Sequence, residues 1–265
     1  MTMVAGVAGQ PIAHSLSPVI HGAWIEAAGL DAVYRAFGPT DTEAFAALVN
    51  EGSRGVLRGL NVTAPFKERA LALADEVSPT ARACGSANLL IFEDGRIRAD
   101  STDGAGLTAA LAEQAPALNV KGQLVVVLGA GGAARAAAAA LKAAGADVGI
   151  LNRTVQRARA LADDLGVAVI EAGALDEAAL VVNALSVPPE IVLGTLRPDA
   201  VLMDMTYRPL LTRFLADGRA RGLTTVDGLA MLIGQARPSF QALFGLAPPA
   251  VDVRTVALAT LGAVA

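Results

Sequence analysis

Cysteine is almost missing. Cys84 stands alone among 265 residues, which excludes an intramolecular disulfide and a cysteine-based zinc cluster. The two histidines, His14 and His21, are too few for a His-based metal centre, so no metal is expected and both read as structural hydrogen-bonding residues. Aromatic residues make up 4% and the formal net charge is −4, a combination that argues against a nucleic-acid surface. No apolar run approaches the roughly 18–20 residues needed to span a bilayer. The opening MTMVAGVAGQP lacks the basic start and apolar stretch of a signal peptide. These absences predict a soluble, cytoplasmic protein that acts on a small molecule, without a membrane or nucleic-acid partner. What is present is core-forming material, 54% hydrophobic against 17% charged, enough for one large domain or two of ordinary size.

Short apolar runs alternate with helical patterns along the chain. Strands are expected at 4–8, 32–37, 55–62, 87–92, 124–128, 148–151, 167–170, 180–183 and 201–205. Apolar residues at helical spacing occupy 18–28, 41–49, 65–74 and 104–114. Such alternation predicts an α/β protein whose parallel sheet is covered by helices on both faces. Asp94-Gly95, between apolar flanks, predicts a tight hairpin, after which one domain hands over to the next. Beyond residue 236 the pattern offers only helix, interrupted at Pro238. If that tail packs back on the first domain, the first domain is discontinuous.

The most informative stretch is QLVVVLGAGGAARAAAAALKAAGADVGILNRT. A buried strand runs into Gly129-Ala130-Gly131-Gly132-Ala133-Ala134 and then a helix, the strand–turn–helix setting in which G-x-G-x-x-[G/A] binds a dinucleotide. Glycines there permit a tight turn and close approach of backbone to a pyrophosphate at the positive helix end. In NAD sites the following strand usually ends in a carboxylate that holds the ribose 2′-hydroxyl. Here that place holds Asn152, followed by Arg153 and Thr154, with Arg157 one turn later. A guanidinium can grip a 2′-phosphate where a carboxylate would repel it, so NADP is favoured as cofactor. For Arg157 taken singly, a solvated surface residue is an equal reading.

Two further stretches carry possible chemistry. In PIAHSLSPVIHGAWIEAAGL, Pro18 suits a first helical position and Ser17 an N-cap. Val19, Ile20, Ala23, Trp24 and Ala27 read as the buried stripe, with Gly29 as the stop. Ser15 and Ser17 together beside a helix start suit a carboxylate; Ser17 alone reads equally as a cap. In NVTAPFK, a helix is expected to begin at Pro65, which sets Lys67 in the first turn, where the helix dipole disfavours a cation. The plain reading of that placement is an exposed helix lysine.

Taken together, PIAHSLSP, NVTAPFK, STDG, GAGGAA, NRT with Arg157, and DGLAMLIGQA resemble the shikimate dehydrogenases, in order and from near residue 6 to about 240. The resemblance implies a substrate domain (1–103) completed by a C-terminal helix (238–265), and a Rossmann-like, doubly wound NADP-binding domain (104–237). It implies reversible NADPH-dependent reduction of 3-dehydroshikimate to shikimate, a step toward aromatic amino acids. Lys67 and Asp103 would form the catalytic pair, with Asp103 orienting the amine; alternatively Asp103 simply caps a helix starting at Gly104. Ser15 and Ser17 would bind the substrate carboxylate, and Thr63, Asn88, Asp103 and Gln235 the ring hydroxyls, with Tyr207 near the pocket. Gly228 and Met231 would lie beside the nicotinamide. Three stretches depart from the family pattern: Leu89 and Ser101 replace a usual threonine and asparagine, and Leu185 with Pro188-Pro189 replaces a hydroxyl and a glycine-containing loop. Rival readings are a quinate or aminoshikimate dehydrogenase of the same family, or a non-catalytic sensor that keeps the fold. Monomer and homodimer both remain open.

Overall fold

The computed structural model describes residues 2–262, which form two compact units: the chain up to Thr102 together with that from Gln235 onward, and Asp103–Gly234. The first unit contains β1 (Met3–Ala8), α1 (Ser17–Ala27), β2 (Ala32–Phe37), α2 (Thr42–Glu51), β3 (Gly59–Val62), α3 (Lys67–Leu73), β4 (Glu76–Val77), α4 (Pro79–Cys84), β5 (Leu89–Glu93) and β6 (Arg96–Asp100). Its sheet runs β2-β1-β3-β5-β6-β4 and is mixed: β1 is parallel to β2 and β3, and β5 is antiparallel to both β3 and β6. The β5–β6 turn is the expected hairpin. Asp94 and Gly95 take φ of 51° and 74°, the two positive values a two-residue type I′ turn requires.

The second unit contains α5 (Asp103–Gln114), β7 (Leu124–Leu128), α6 (Gly132–Ala143), β8 (Asp147–Leu151), α7 (Val155–Leu165), β9 (Ala168–Val169), β10 (Leu180–Asn183), β11 (Val201–Asp204), α8 (Arg213–Ala220) and β12 (Thr224–Val226). All six strands are parallel, in the order β9-β8-β7-β10-β11-β12. Counted along the chain this is 3-2-1-4-5-6, the doubly wound order. Val125, Val126, Val127, Leu180, Val181 and Val182 are inaccessible to solvent, because helices cover both faces. The strand order reverses between β7 and β10, where such sheets open a crevice at the carboxyl ends of their strands.

Two helices remain, α9 (Gly228–Phe244) and α10 (Val253–Leu261). Residues 228–234 of α9 belong to the second unit and residues 235–244 to the first, where α10 packs along α1. Pro238 was expected to interrupt α9 and does not. Ala236, Ser239, Phe240, Leu243 and Phe244 are buried around it, and that packing outweighs the ~3 kcal/mol a mid-helix proline costs. The helix stops instead at Gly245, whose φ is +78°.

Other boundaries also differ from expectation. The run 55–62 is a strand only from Gly59; Gly52–Val56 form one wide helical turn that continues α2 and contains Gly55 at φ 94°. α3 begins at Lys67 and not at Pro65, because the Phe66 N–H donates to the Thr63 carbonyl (3.1 Å) and closes a turn through the proline first. α1 begins at Ser17 with Leu16 as its cap: the Leu16 carbonyl already accepts from Val19 and Ile20, so Ser17 is the first helical residue and not the N-cap. Its buried face is accordingly Ser17, Ile20, His21, Trp24 and Ile25, with Ala27 exposed. β4 and β12, two and three residues long, have no signal in the apolar runs.

Candidate active site

In the first unit, sheet topology gathers the candidates at one edge. The parallel strands β1 and β3 both end there, and antiparallel β5 begins there. The loop after β1 carries Ser15 and leads into α1 at Ser17, and the loop after β3 carries Thr63 and leads into α3 at Lys67. These loops run side by side: the Thr63 N–H donates to the Ala8 carbonyl (2.9 Å), and Gln10 N–H to the Ala64 carbonyl (3.1 Å). Asn88 precedes β5; its carbonyl accepts from Val62 N–H (2.8 Å), while the Lys67 carbonyl accepts from Ala87 N–H (3.0 Å). Ser15 Oγ accepts from the Ser17 N–H (3.3 Å), which sets both serines at the start of α1. Ser17 is buried and Ser15, Thr63 and Lys67 are part-exposed.

Gln235 and Ser239, one turn apart on α9, complete this edge. Asn88 Nδ2 donates to Gln235 Oε1 (2.9 Å), and Asn88 Oδ1 accepts from Thr102 N–H (2.8 Å). Asn61 Nδ2 donates to Ser239 Oγ (2.9 Å) and its Oδ1 accepts from Tyr34 (2.8 Å). Burial holds the Tyr34 hydroxyl well above the usual phenol range, so it stays a donor. Asn61 and Thr102 lie in the stretches NVTAPFK and STDG but were given no role there, and Ser239 and Tyr34 were not singled out from the sequence.

His21 is structural, as expected, but as an aromatic and not as a hydrogen-bonder at Nδ1, which has no partner among the described residues. It stacks on Tyr34 at 4.1 Å and meets Trp24 edge-on, and burial lowers its pKa to about 3. His14 is exposed. A cavity of about 250 Å³ elsewhere in this unit, lined by Ser78, Leu89, Arg98, Asp100 and Ala242 among others, contains none of the candidate residues.

In the second unit, β7 delivers Gly129 at φ +115°, a conformation that excludes side chains. A Cβ on Gly131 or Gly132 would meet open space, and the first N–H groups of α6 have no capping side chain. That is the cradle a pyrophosphate requires, and the dinucleotide fits it. β8 ends at Leu151 without a carboxylate. Asn152 Nδ2 donates to the Thr154 carbonyl (2.9 Å), Thr154 occupies the N-cap position of α7, and Arg153 and Arg157 stand exposed on either side of Thr154. This set matches a 2′-phosphorylated ribose in charge. Leu185 lies over the loop: a Cβ on Gly129 would sit 3.2 Å from its Cδ2.

The crevice is tied by a buried carboxylate. Asp204, at the end of β11, accepts from Asn183 Nδ2 (3.1 Å), Thr206 N–H (2.9 Å) and Thr212 Oγ1 (2.8 Å). These bonds fix both ends of the loop that carries Tyr207. Asn183 Oδ1 also accepts from Leu185 N–H (3.2 Å), so one side chain holds the loops after β10 and β11 together. Gly228 fits here because a Cβ would stand 2.5 Å from the Thr206 carbonyl. Met231, expected beside the nicotinamide, is buried in this unit's main core cluster. Asp103 is buried and is itself the first residue of α5, one position before the expected start. Among the described residues no group of three His, Cys, Asp or Glu is placed to hold a metal, and no helix is long and apolar enough to cross a membrane.

Comparison with known proteins agrees with this geometry. Residues 7–90 match the family model of the shikimate dehydrogenase substrate binding domain, and residues 110–205 that of shikimate / quinate 5-dehydrogenase. The chain is 52% identical to a shikimate dehydrogenase (NADP(+)) of Caulobacter vibrioides, over 99% of this chain and 97% of that protein. It is 48% identical to one of Maricaulis maris, over 98% and 97%. The crystal structure of shikimate 5-dehydrogenase from Thermus thermophilus, in complex with NADP(H) and shikimate, superposes with a TM-score of 0.90 at 38% identity, covering 97% of this chain and 99% of that one.

Proposed function

This chain belongs to the shikimate dehydrogenase family, and from that premise we propose that it catalyses the reversible NADPH-dependent reduction of 3-dehydroshikimate to shikimate. The observation that carries the substrate half is the gathering of Ser15, Ser17, Thr63, Lys67, Asn88 and Gln235 at one edge of the first unit's sheet. The cofactor half is supported by a glycine loop opening α6 and a strand end that offers Arg153 where an NAD site would place an acid.

NADPH, when bound, supplies the hydride. The protein's own residues do the rest. Ser15 and Ser17 take the ring carboxylate through their hydroxyls; Thr63, Asn88 and Gln235 take ring hydroxyls. As negative charge grows on the reduced carbonyl oxygen, Lys67 stabilises it and then delivers a proton, and Asp103 acts as the carboxylate that orients the amine. Gly129 to Ala133 cradle the pyrophosphate, and Asn152, Arg153, Thr154 and Arg157 take the 2′-phosphate. The partners are small molecules, and a biosynthetic reduction that draws on NADPH belongs in the cytoplasm.

Initial rates of NADP⁺ reduction with shikimate, with quinate and NAD⁺ in parallel, test the reading. Turnover with shikimate and NADP⁺ well above the other combinations is expected. Preference for quinate or NAD⁺ would move the chain to another specificity within the family. No turnover by folded protein would favour a sensor.

A further inference from the structure

The cavity of about 250 Å³ in the first unit holds no part of the candidate site, and strand register explains its walls. Leu89 pairs with Asp100 and Ile91 with Arg98 across β5 and β6, and Arg98 pairs with Glu76 of β4. Directly paired residues share a face and side chains alternate along a strand, so all of these stand on one face of the sheet. Leu90, Phe92, Ile97 and Ala99 stand on the other, in this unit's core. On the first face α9 lies over Gly59, where a Cβ would stand 2.6 Å from Leu243 Cδ2, and Ala242 beside it lines the cavity. Leu89 and Ile91 are buried and make an apolar floor; Leu89 is also one of the departures from the family pattern.

The two ends of that floor differ in charge. At one end Glu93 is shared, with Arg58 Nη2 donating to its Oε1 (2.8 Å) and Arg98 Nη1 to its Oε2 (3.1 Å), while Glu76 accepts from Arg96 (2.9 Å). Arg58, Arg96 and Arg98 therefore face only Glu76 and Glu93, and one positive charge is left over. At the other end Asp100 meets no cation among the described residues. Its Oδ1 accepts from Ser78 Oγ and from the Ser101 N–H (2.7 Å), and its Oδ2 is left for a donor. Arg98 and Asp100 are two residues apart in β6, roughly 6–7 Å along the strand, so one small molecule reaches both. We propose that this cavity binds a free α-amino acid with an apolar side chain, its carboxylate at Arg98, its ammonium at Asp100 and its side chain on Leu89 and Ile91. The volume lies below the roughly 300–1,000 Å³ of drug-sized pockets, which suits a ligand of that size. A simple anion would leave Asp100 facing like charge, and a simple cation would do the same to Arg98; a zwitterion satisfies both. The Asn88 N–H donates to the Asp100 carbonyl (3.1 Å), which sets this site one residue pair from the proposed substrate edge.

Calorimetric titration of the full-length protein with L-leucine and with L-phenylalanine tests the site. Saturable binding of at least one, with a Kd of about 1 mM or tighter, is expected and should persist in excess shikimate. The amide of the bound amino acid lacks the carboxylate and its N-acetyl derivative lacks the ammonium, so each should bind at least about tenfold more weakly. Arg98→Gln removes the surplus charge from an exposed ion pair at little cost in stability, and should weaken binding about tenfold while shikimate turnover stays as in wild type. Asp100→Asn keeps an acceptor for Ser78 and the Ser101 N–H but loses the charge, and should weaken binding by a similar factor. No binding of either amino acid at roughly ten times that concentration overturns the proposal. So does equal affinity for the amide, loss of binding in excess shikimate, or wild-type affinity in Arg98→Gln.

Discussion

The two units solve recognition by opposite means. The candidate dinucleotide side rests on backbone, with Gly131 and Gly132 open where a Cβ is missing and an uncapped helix start, to which two exposed guanidiniums add charge. The substrate side is made of side chains, each oriented by another, from Tyr34 through Asn61 and Ser239 to Asn88 and Gln235. A backbone site is contiguous in sequence and tolerates change around it. A side-chain site draws residues from 34 to 239.

The largest effect expected from a single change falls on chemistry and not on either binding half. Lys67→Ala should lower kcat by roughly a thousandfold while KM for shikimate changes only a few-fold, measured by steady-state kinetics. Normal turnover would remove Lys67 from its assigned role and weaken the contrast, because the substrate side would then be a binding surface alone.

Next in size is the tie of the crevice. Asp204→Ala strands Asn183 Nδ2, the Thr206 N–H and Thr212 Oγ1 without their acceptor, and should cost about 3 kcal/mol in chemical denaturation. A loss below ~1 kcal/mol would mean that the loop carrying Tyr207 re-satisfies those groups from solvent.

The two sides separate most directly through charge. Arg153→Asp should weaken NADPH binding by roughly 10–100-fold and leave NADH binding nearly unchanged, as read from cofactor titrations. Equal losses for both would place Arg153 away from the 2′-phosphate.

The smallest prediction concerns the core behind the substrate side. The pKa of His21 is about 3 in the folded state against an ordinary value of 6.5. Above 6.5 the residue is neutral in both states and carries no penalty. As pH falls below 6.5 the unfolded chain takes a proton that the folded one refuses, so stability drops down to pH 3. Between about pH 6.5 and 5 this amounts to about 2 kcal/mol, which His21→Phe should abolish in denaturation curves at the two pH values.

The same contrast explains what was legible in the sequence. The glycine loop, the missing strand-end acid and Arg153 are neighbours in the chain, so spacing alone conveys their chemistry. The hairpin at Asp94-Gly95 was equally plain, since its turn is local. Asn61, Thr102 and Ser239 were not legible: an asparagine in a strand, a threonine beside an aspartate and a serine in a helix acquire meaning only when the sheet edge brings them together. Boundaries failed where long-range burial overrode local preference. Pro238 lies inside α9 because its neighbours are buried, and Lys67 opens α3 because a turn at Thr63–Phe66 precedes it.

Asn183 constrains only part of the loop it holds. Its amide pins the root of the loop after β10 at Leu185, while Ser186, Val187 and Pro188 beyond it are exposed. A loop anchored at its root and bare at its tip behaves as an exchangeable cassette. Its outer residues can be swapped to reshape the mouth of the nucleotide crevice without loosening the strands beneath.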